Sequence, residues 1–316
     1  MLGQILQQGV NALTIGAIYA LIALGYTMVY GVMRLINFAH GEMFMLGAYA
    51  ALVAVGVMLP GFGAFPILVV AAVLISAFVV VGLAGVASER IAYKPLRNSS
   101  RLAPMLSALG LSLVLQSAMQ IIAGPQPIAF PSILEVGRFE FAGAHMTSLQ
   151  LGIIVLSVLL MLGLVYVVNR TRLGVLIRAV AENHRTAGLL GIDVSRVISA
   201  VFMVGPGLGA VAGVLYASYY GVISPTMGVI VGLKAFTAAI LGGIGSIPGA
   251  MLGGFLLGIL EVFGTALLPV LTNGYLGTEY RDVFAFAVLI LVLLFKPSGL
   301  LGESVTDASS VQKREF

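Results

Sequence analysis

Long apolar runs separated by short polar joins set the pattern of this chain. The runs fall near 9–29, 42–59, 65–87, 102–123, 148–168, 197–220, 228–243, 246–268 and 283–296. About 20 consecutive apolar residues span a hydrocarbon core as a helix, so the pattern predicts an all-α, polytopic transmembrane helix bundle of about nine spans. It forms a single membrane domain over 1–300, followed by a polar tail at 301–316. The longest polar interruption, 169–196, reads as a short helix in its middle. Leu173, Leu176, Ile177, Val180 and Ala181 recur at helical spacing, Arg178, Glu182 and Arg185 fall on another face, and Gly188 and Gly191 break the pattern.

Charge then orients the spans. The 169–196 loop carries Arg170, Arg172, Arg178, Arg185 and Arg196 against Glu182 and Asp193, and a basic loop between spans stays in the cytoplasm. That choice places 30–41, 88–101, 244–245 and the tail inside, and the N-terminus, 124–147 and 269–282 outside. Thirteen of the 16 Lys and Arg residues then lie at the inner side. An apolar stripe interleaved with charge makes the loop a candidate docking element for a cytoplasmic partner, and Arg178, Glu182, Leu189, Gly191, Ile192 and Asp193 are its candidate contacts. The outer loop 124–147, with Pro125, Pro127 and Pro131 and alternating Phe139 and Phe141, is expected to fold in short extended pieces.

Forty glycines are spread through the chain. Three rows of small residues at four-residue spacing, Ala12/Gly16/Ala20, Gly205/Gly209/Gly213 and Gly245/Gly249/Gly253, predict close helix–helix approach. Gly205-Pro206-Gly207 predicts a kink. Leu241 to Pro248, LGGIGSIP, frees backbone groups that lipid cannot satisfy, so 233–258 is expected to form a pair of short, broken or re-entrant helices around a route for solute. Lys234, Thr237, Gly242, Gly243, Gly245 and Ser246 are the candidates there. A second polar cluster, Arg34, Asn37, His40 and Glu42, needs a place at the inner edge or in a cavity, because a charged group at mid-bilayer costs about 2.5–3.5 kcal/mol on insertion scales. Asn37, His40 and Glu42 are read as polar lining or a gate, with Glu42 also suited to a helix N-terminus.

Composition narrows the classes. The chain is 60% hydrophobic and 9% charged, with a mean hydropathy of +1.10 and a pI near 9.4. The basic balance is explained by loop charges and anionic lipid, not nucleic acid. Cys is absent and only three His occur, so neither a thiol nucleophile nor a metal site is expected, and no cofactor. No G-x-S-x-G, H-E-x-x-H or G-x-x-x-x-G-K-[ST] is present, so ATP hydrolysis, if used, must come from another chain. Glu261 and Lys234 are too few for a proton relay. A stand-alone channel or ion-coupled carrier and a membrane-embedded enzyme are the competing classes.

Three motifs carry a resemblance: YALIALGYTMVYGVMRLINFAHGEMFMLGAY (Tyr19–Tyr49), RAVAENHRTAGLLGID (Arg178–Asp193) and LKAFTAAILGGIGSIPGAMLGG (Leu233–Gly254). Over roughly 10–300 the chain resembles the H-type membrane permease subunits of bacterial branched-chain amino-acid ABC importers. The resemblance implies an ABC importer permease fold in the inner membrane, pairing with a second, homologous permease and two cytoplasmic ATP-binding subunits. It also implies delivery of leucine, isoleucine or valine by a periplasmic amino-acid-binding protein. The related urea permeases share the pattern of Asn37, Ala39, His40, Gly41 and Glu42 and are the chief rivals on substrate. The Glu-Ala-Ala docking loop of many importer permeases is matched only loosely, by Ala181-Glu182-Asn183 and Gly191.

Overall fold

The structure is a computed structural model that describes residues 2–62, 65–97, 99–100, 102–132, 137–141, 143–275, 280–296 and 298–302. The expected polar tail lies, from residue 303, outside the described residues. The helices in chain order are α1 (Leu2–Met33), α2 (His40–Phe62), α3 (Pro66–Ser88), α4 (Leu102–Ala123), α5 (Ser148–Arg170), α6 (Arg172–Glu182), α7 (His184–Leu189), α8 (Val194–Tyr220), α9 (Met227–Gly242), α10 (Ile247–Leu271) and α11 (Arg281–Phe295). Seven of them, α1, α2, α3, α4, α5, α8 and α10, are long and apolar enough to cross a membrane, while α9 and the apolar part of α11 are shorter. Every one of the nine apolar runs forms a helix. The polar loop forms two helices, not one, because Asn183 interrupts it: its side chain accepts from the N–H groups of Arg185 and Thr186 and so starts α7.

Small residues decide which helices touch. A Cβ added at Gly254 would lie 2.3 Å from the Ala20 backbone, and one at Gly258 would lie 2.4 Å from the Gly16 backbone. Rising numbers on α1 meet falling numbers on α10, so the two helices run antiparallel in backbone contact. On the other side of α1, Gly205 of α8 faces Gly25. Nearly all of α1 is buried, and almost none of α4 is. Gly213 packs on the Phe44 carbonyl of α2, and Gly253 on the Ala238 carbonyl of α9. All three small-residue rows therefore lie at helix contacts, except that Gly245 stands in the turn before α10 with open space around it.

One expectation changes. α8 runs as one helix through Pro206. Proline supplies no N–H to the Phe202 carbonyl four residues back, and Gly85 of α3 packs against that carbonyl, where a Cβ would come within 2.2 Å. The segment 233–258 is not a pair of short helices: α9 has 16 residues and α10 has 25. Only α9 is short, and apolar residues continue without a break from Met251 to Leu260.

The loop 124–147 does form extended pieces. β2 (Arg138–Phe141) and β3 (Ala144–Thr147) make an antiparallel hairpin, and β1 (Ile128–Ala129) pairs with β4 (Val222–Ile223), which follows α8. The His145 N–H donates to Gln7 Oε1 at 2.8 Å, so this loop, the start of α1 and the end of α8 share one end of the bundle. At the other end His184 Nε2 meets the Val32 carbonyl at 2.8 Å, joining the end of α1 to α7.

Substituting Gly258 by Val puts side-chain atoms into the α1 backbone, and overpacking of this kind costs about 1–3 kcal/mol. Thermal unfolding in detergent should show a lower midpoint for Gly258→Val and none of that loss for Gly56→Ala, where nothing lies within 4 Å and alanine favours the helix. Equal midpoints would remove the backbone contact from the account.

Candidate functional site

The first polar cluster is built by a re-entrant stretch between α1 and α2. α1 ends at Met33, Arg34 turns the chain with φ +51°, and His40 lies against Gly25, where a Cβ would come within 2.4 Å of its Nε2. Gly25 is nine residues before Arg34, about 13 Å along a helix at 1.5 Å per residue. Residues 35–39 therefore climb back into the bundle before α2 begins. The turn is fixed by Asn37, whose Oδ1 accepts from the Ala39 N–H at 3.1 Å and from the Tyr93 hydroxyl at 2.6 Å.

His40 is fully buried, and among the described residues neither ring nitrogen makes a hydrogen bond of ordinary geometry. The Tyr26 ring packs on it with centroids 4.5 Å apart. Glu42 is also buried, in the first turn of α2. Its Oε1 accepts from Ser112 Oγ of α4 at 3.3 Å, while among the described residues its Oε2 makes no hydrogen bond, nor does the buried Thr27 Oγ1 of α1. Glycines close the space: a Cβ on Gly41 would lie 2.3 Å from the Gly228 carbonyl, and one on Gly228 would lie 2.5 Å from Glu42 Oε2. Each unsatisfied buried polar atom costs about 1–3 kcal/mol, so a seam sealed by glycine and lined by such atoms is stabilised once something polar reaches it. Of the two placements the sequence left open for Asn37, His40 and Glu42, the inner edge or the interior, the structure buries all three.

Lys234 and Thr237 lie elsewhere on α9. Lys234 Nζ sits 2.9 Å from Glu261 Oε1 of α10 and 2.7 Å from Asp282 Oδ1 of α11. The Tyr19 hydroxyl donates to Glu261 Oε2 at 2.8 Å. Thr237 Oγ1 donates back to the Leu233 carbonyl at 2.8 Å. The two charges that looked isolated in the sequence are thus one cluster joining four helices, with Asp282 and Tyr19 as members that no local spacing indicated.

Gly242, Gly243, Gly245 and Ser246 are brought to neither cluster. The Leu241 and Gly242 carbonyls accept from the N–H groups of Leu300 and Leu301 at 2.9 Å each. Gly243 and Gly245 take positive φ, +105° and +96°, and Ser246 Oγ accepts from the Gly249 N–H at 3.2 Å. The freed Leu241 and Gly242 carbonyls are therefore satisfied by the chain's own C-terminal segment.

In the polar loop, the apolar stripe faces inward. Ile177 and Val180 are buried against the bundle, so the stripe that suggested docking is core. Arg178 donates to the Val168 carbonyl and caps α5. Asp193 caps α8 by accepting from the Arg196 N–H at 3.1 Å. Gly191 takes φ +82°, and the Ile192 N–H closes the turn on the Ala187 carbonyl at 3.1 Å. Glu182 is exposed. Leu189 is 82% exposed and Leu190 76%, an apolar pair projecting from the end of α7. Leu190 was not singled out from the sequence. Among the described residues no cluster of three or more His, Asp or Glu is disposed to hold a metal ion.

A glycine-packed, multi-pass bundle with sealed interior polar clusters is the architecture of a membrane permease. The comparisons carry it to a family: residues 9–293 match the one described as branched-chain amino acid transport system / permease component, and the chain belongs to it as a multi-pass inner-membrane protein. It is similar to the high-affinity branched-chain amino acid transport system permease protein BraD of Pseudomonas aeruginosa, at 46% identity over 94% of this chain and 95% of that protein. It is similar to the corresponding protein LivH of Escherichia coli K12 at 46% identity, with coverage of 94% and 95%. A probable branched-chain amino acid transport permease protein of Methanocaldococcus jannaschii is 30% identical over 92% of this chain and 91% of its own.

Asn37→Ala leaves the Tyr93 hydroxyl and the Ala39 N–H buried without their acceptor, a loss of about 1–3 kcal/mol. Tyr93→Phe removes one ordinary hydrogen bond, about 0.5–1.5 kcal/mol. Chemical unfolding in detergent should rank wild type above Tyr93→Phe and Tyr93→Phe above Asn37→Ala; the reverse order of the two variants would contradict the turn's role.

Proposed function

We propose that this chain is the translocating permease subunit of an ATP-binding cassette importer that carries leucine, isoleucine or valine across the bacterial inner membrane, with separate ATPase subunits supplying the energy. The observation that carries this reading is 46% identity along nearly the whole length to two permease proteins named for high-affinity branched-chain amino acid transport. The chain itself performs no bond chemistry, in keeping with the missing phosphate-binding loop. Its partners are a homologous second permease, two cytoplasmic ATP-binding subunits, a periplasmic amino-acid-binding protein and lipid. The N-terminus lies outside and the C-terminus inside, because the end formed by Arg34, Arg97 and the α6–α7 loop holds most of the basic residues. The route passes the seam of Asn37, His40 and Glu42, whose unpartnered atoms favour a state in which polar groups reach them. Docking of the ATPase falls to the exposed Leu189–Leu190 pair at the end of α7.

Proteoliposomes holding the assembled transporter and binding protein should take up leucine only with ATP and only with the ATPase subunits present. Urea should not compete. Uptake without the ATPase would favour a stand-alone carrier, and competition by urea the urea-permease class. Changing Leu189 and Leu190 together to Asp puts charge into an apolar contact and should sharply reduce uptake while the permease still inserts; normal uptake would sink the docking assignment. Glu42→Gln at matched membrane levels should lower uptake, and a wild-type rate would leave Glu42 as a helix cap alone.

A further inference from the structure

Two cavities, of about 300 and about 370 Å3, share Tyr220 and Glu261 in their walls, near the start of α1. Both sit at the low end of the range for small-molecule sites, roughly 300–1,000 Å3. The smaller is walled by Tyr216, Met227, Ile230 and Val231, with Lys234 and Glu261 also lining it. The larger continues to Asn11 and Thr265.

The ion cluster at this space has one ammonium and two carboxylates: Lys234 Nζ is 2.9 Å from Glu261 Oε1 and 2.7 Å from Asp282 Oδ1. Opening a buried ion pair is costly because each charge loses its partner without regaining water. An α-amino acid carries both signs of charge on adjacent atoms. Its carboxylate can take the place of Glu261 at Lys234 while its ammonium takes the place of Lys234 at Glu261, so every charge stays partnered through the exchange. Asp282 keeps hold of Lys234 meanwhile, and the Tyr19 hydroxyl, 2.8 Å from Glu261 Oε2, keeps hold of Glu261. The aliphatic and aromatic walls then meet a branched side chain that asks for no hydrogen bond.

We infer that the space beside the Lys234–Glu261 pair is a subsite for the α-amino acid zwitterion, Lys234 receiving its carboxylate and Glu261 its ammonium. This rests on the reading of the chain as an amino-acid permease and adds the residues that recognise the cargo. A neutral solute such as urea has no opposite charges to exchange with the pair.

Saturation-transfer NMR on the assembled transporter in nanodiscs, without binding protein or ATP, reads binding at the permease itself. The probes are leucine, 4-methylpentanoate, which lacks the ammonium, 3-methylbutylamine, which lacks the carboxylate, and urea. Wild type should bind leucine about tenfold or more tightly than either single-charge analogue and should not bind urea. Glu261→Gln should bring leucine down to the level of 4-methylpentanoate, and Lys234→Met to that of 3-methylbutylamine, a change of preference that loss of a purely structural ion pair does not produce. Ile230→Trp fills the wall without touching either charge and should also weaken leucine. Should the charge variants fail to assemble, the analogue series on wild type together with Ile230→Trp decides. Leucine binding no tighter than its analogues, or unchanged by these substitutions, overturns the subsite. Leucine uptake with binding protein is measured separately: uptake by wild type alongside a failed binding result sinks the subsite alone, and no uptake by wild type sinks the permease reading.

Discussion

Backbone contact between α1 and the helices that cross it is the constraint from which the rest of the bundle follows. Lipid is as apolar as the side chains and gives helices no hydrophobic reason to associate, so close packing between small residues must hold them. Gly16 and Ala20 meet Gly258 and Gly254 of α10, and Gly25 meets Gly205 of α8. With α1 held from both sides, the stretch after Arg34 has only the space beside Gly25 to enter, and His40 fills it. A side chain at Gly25 or Gly205 would exclude the imidazole or part the helices.

The interior polar groups fall into two kinds, and the difference bears on function. Lys234, Glu261 and Asp282 are paired with one another, and Glu89 accepts from Ser199 at 3.0 Å and from Arg97. Such pairs fix helices against each other and resist opening. Among the described residues His40, Thr27 and one oxygen of Glu42 make no hydrogen bond of ordinary geometry, which makes the closed seam locally unfavourable. On the proposed function the bundle opens at this seam, and the paired cluster adjoins it through α9, which carries Lys234 as well as Gly228 and Gly232.

Much of this was legible in the sequence, because lipid imposes two simple rules. Length and hydropathy placed all the apolar helices, and four-residue spacing of small residues located the contacts of α1, α8 and α10. The failures have equally physical causes. Glycine and proline at 241–248 signalled free backbone groups correctly, but which groups satisfy them is a long-range matter, and here Leu300 and Leu301 do so from beyond α11. The stripe in α6 has the period of any helix half-buried on its own protein, so periodicity alone could not tell core from dock. Asn37 reads locally as polar lining, whereas it fixes a turn with a partner, Tyr93, 56 residues away, and nothing local links Lys234 to Glu261 or Tyr19. The depth of His40 was hidden because the short polar stretch before it reads as an ordinary loop.

On the proposed function, the sealed seam at His40 and Glu42 opens during transport. The chain has no cysteine, so a single thiol at Ser112, whose hydroxyl contacts Glu42, reports on that place alone. The measurement is the rate at which a small water-soluble thiol reagent modifies Ser112→Cys in the assembled transporter, at rest and while ATP and leucine drive turnover. Modification should be slow at rest and much faster during turnover. An equal rate in both conditions, with leucine uptake intact, would contradict it.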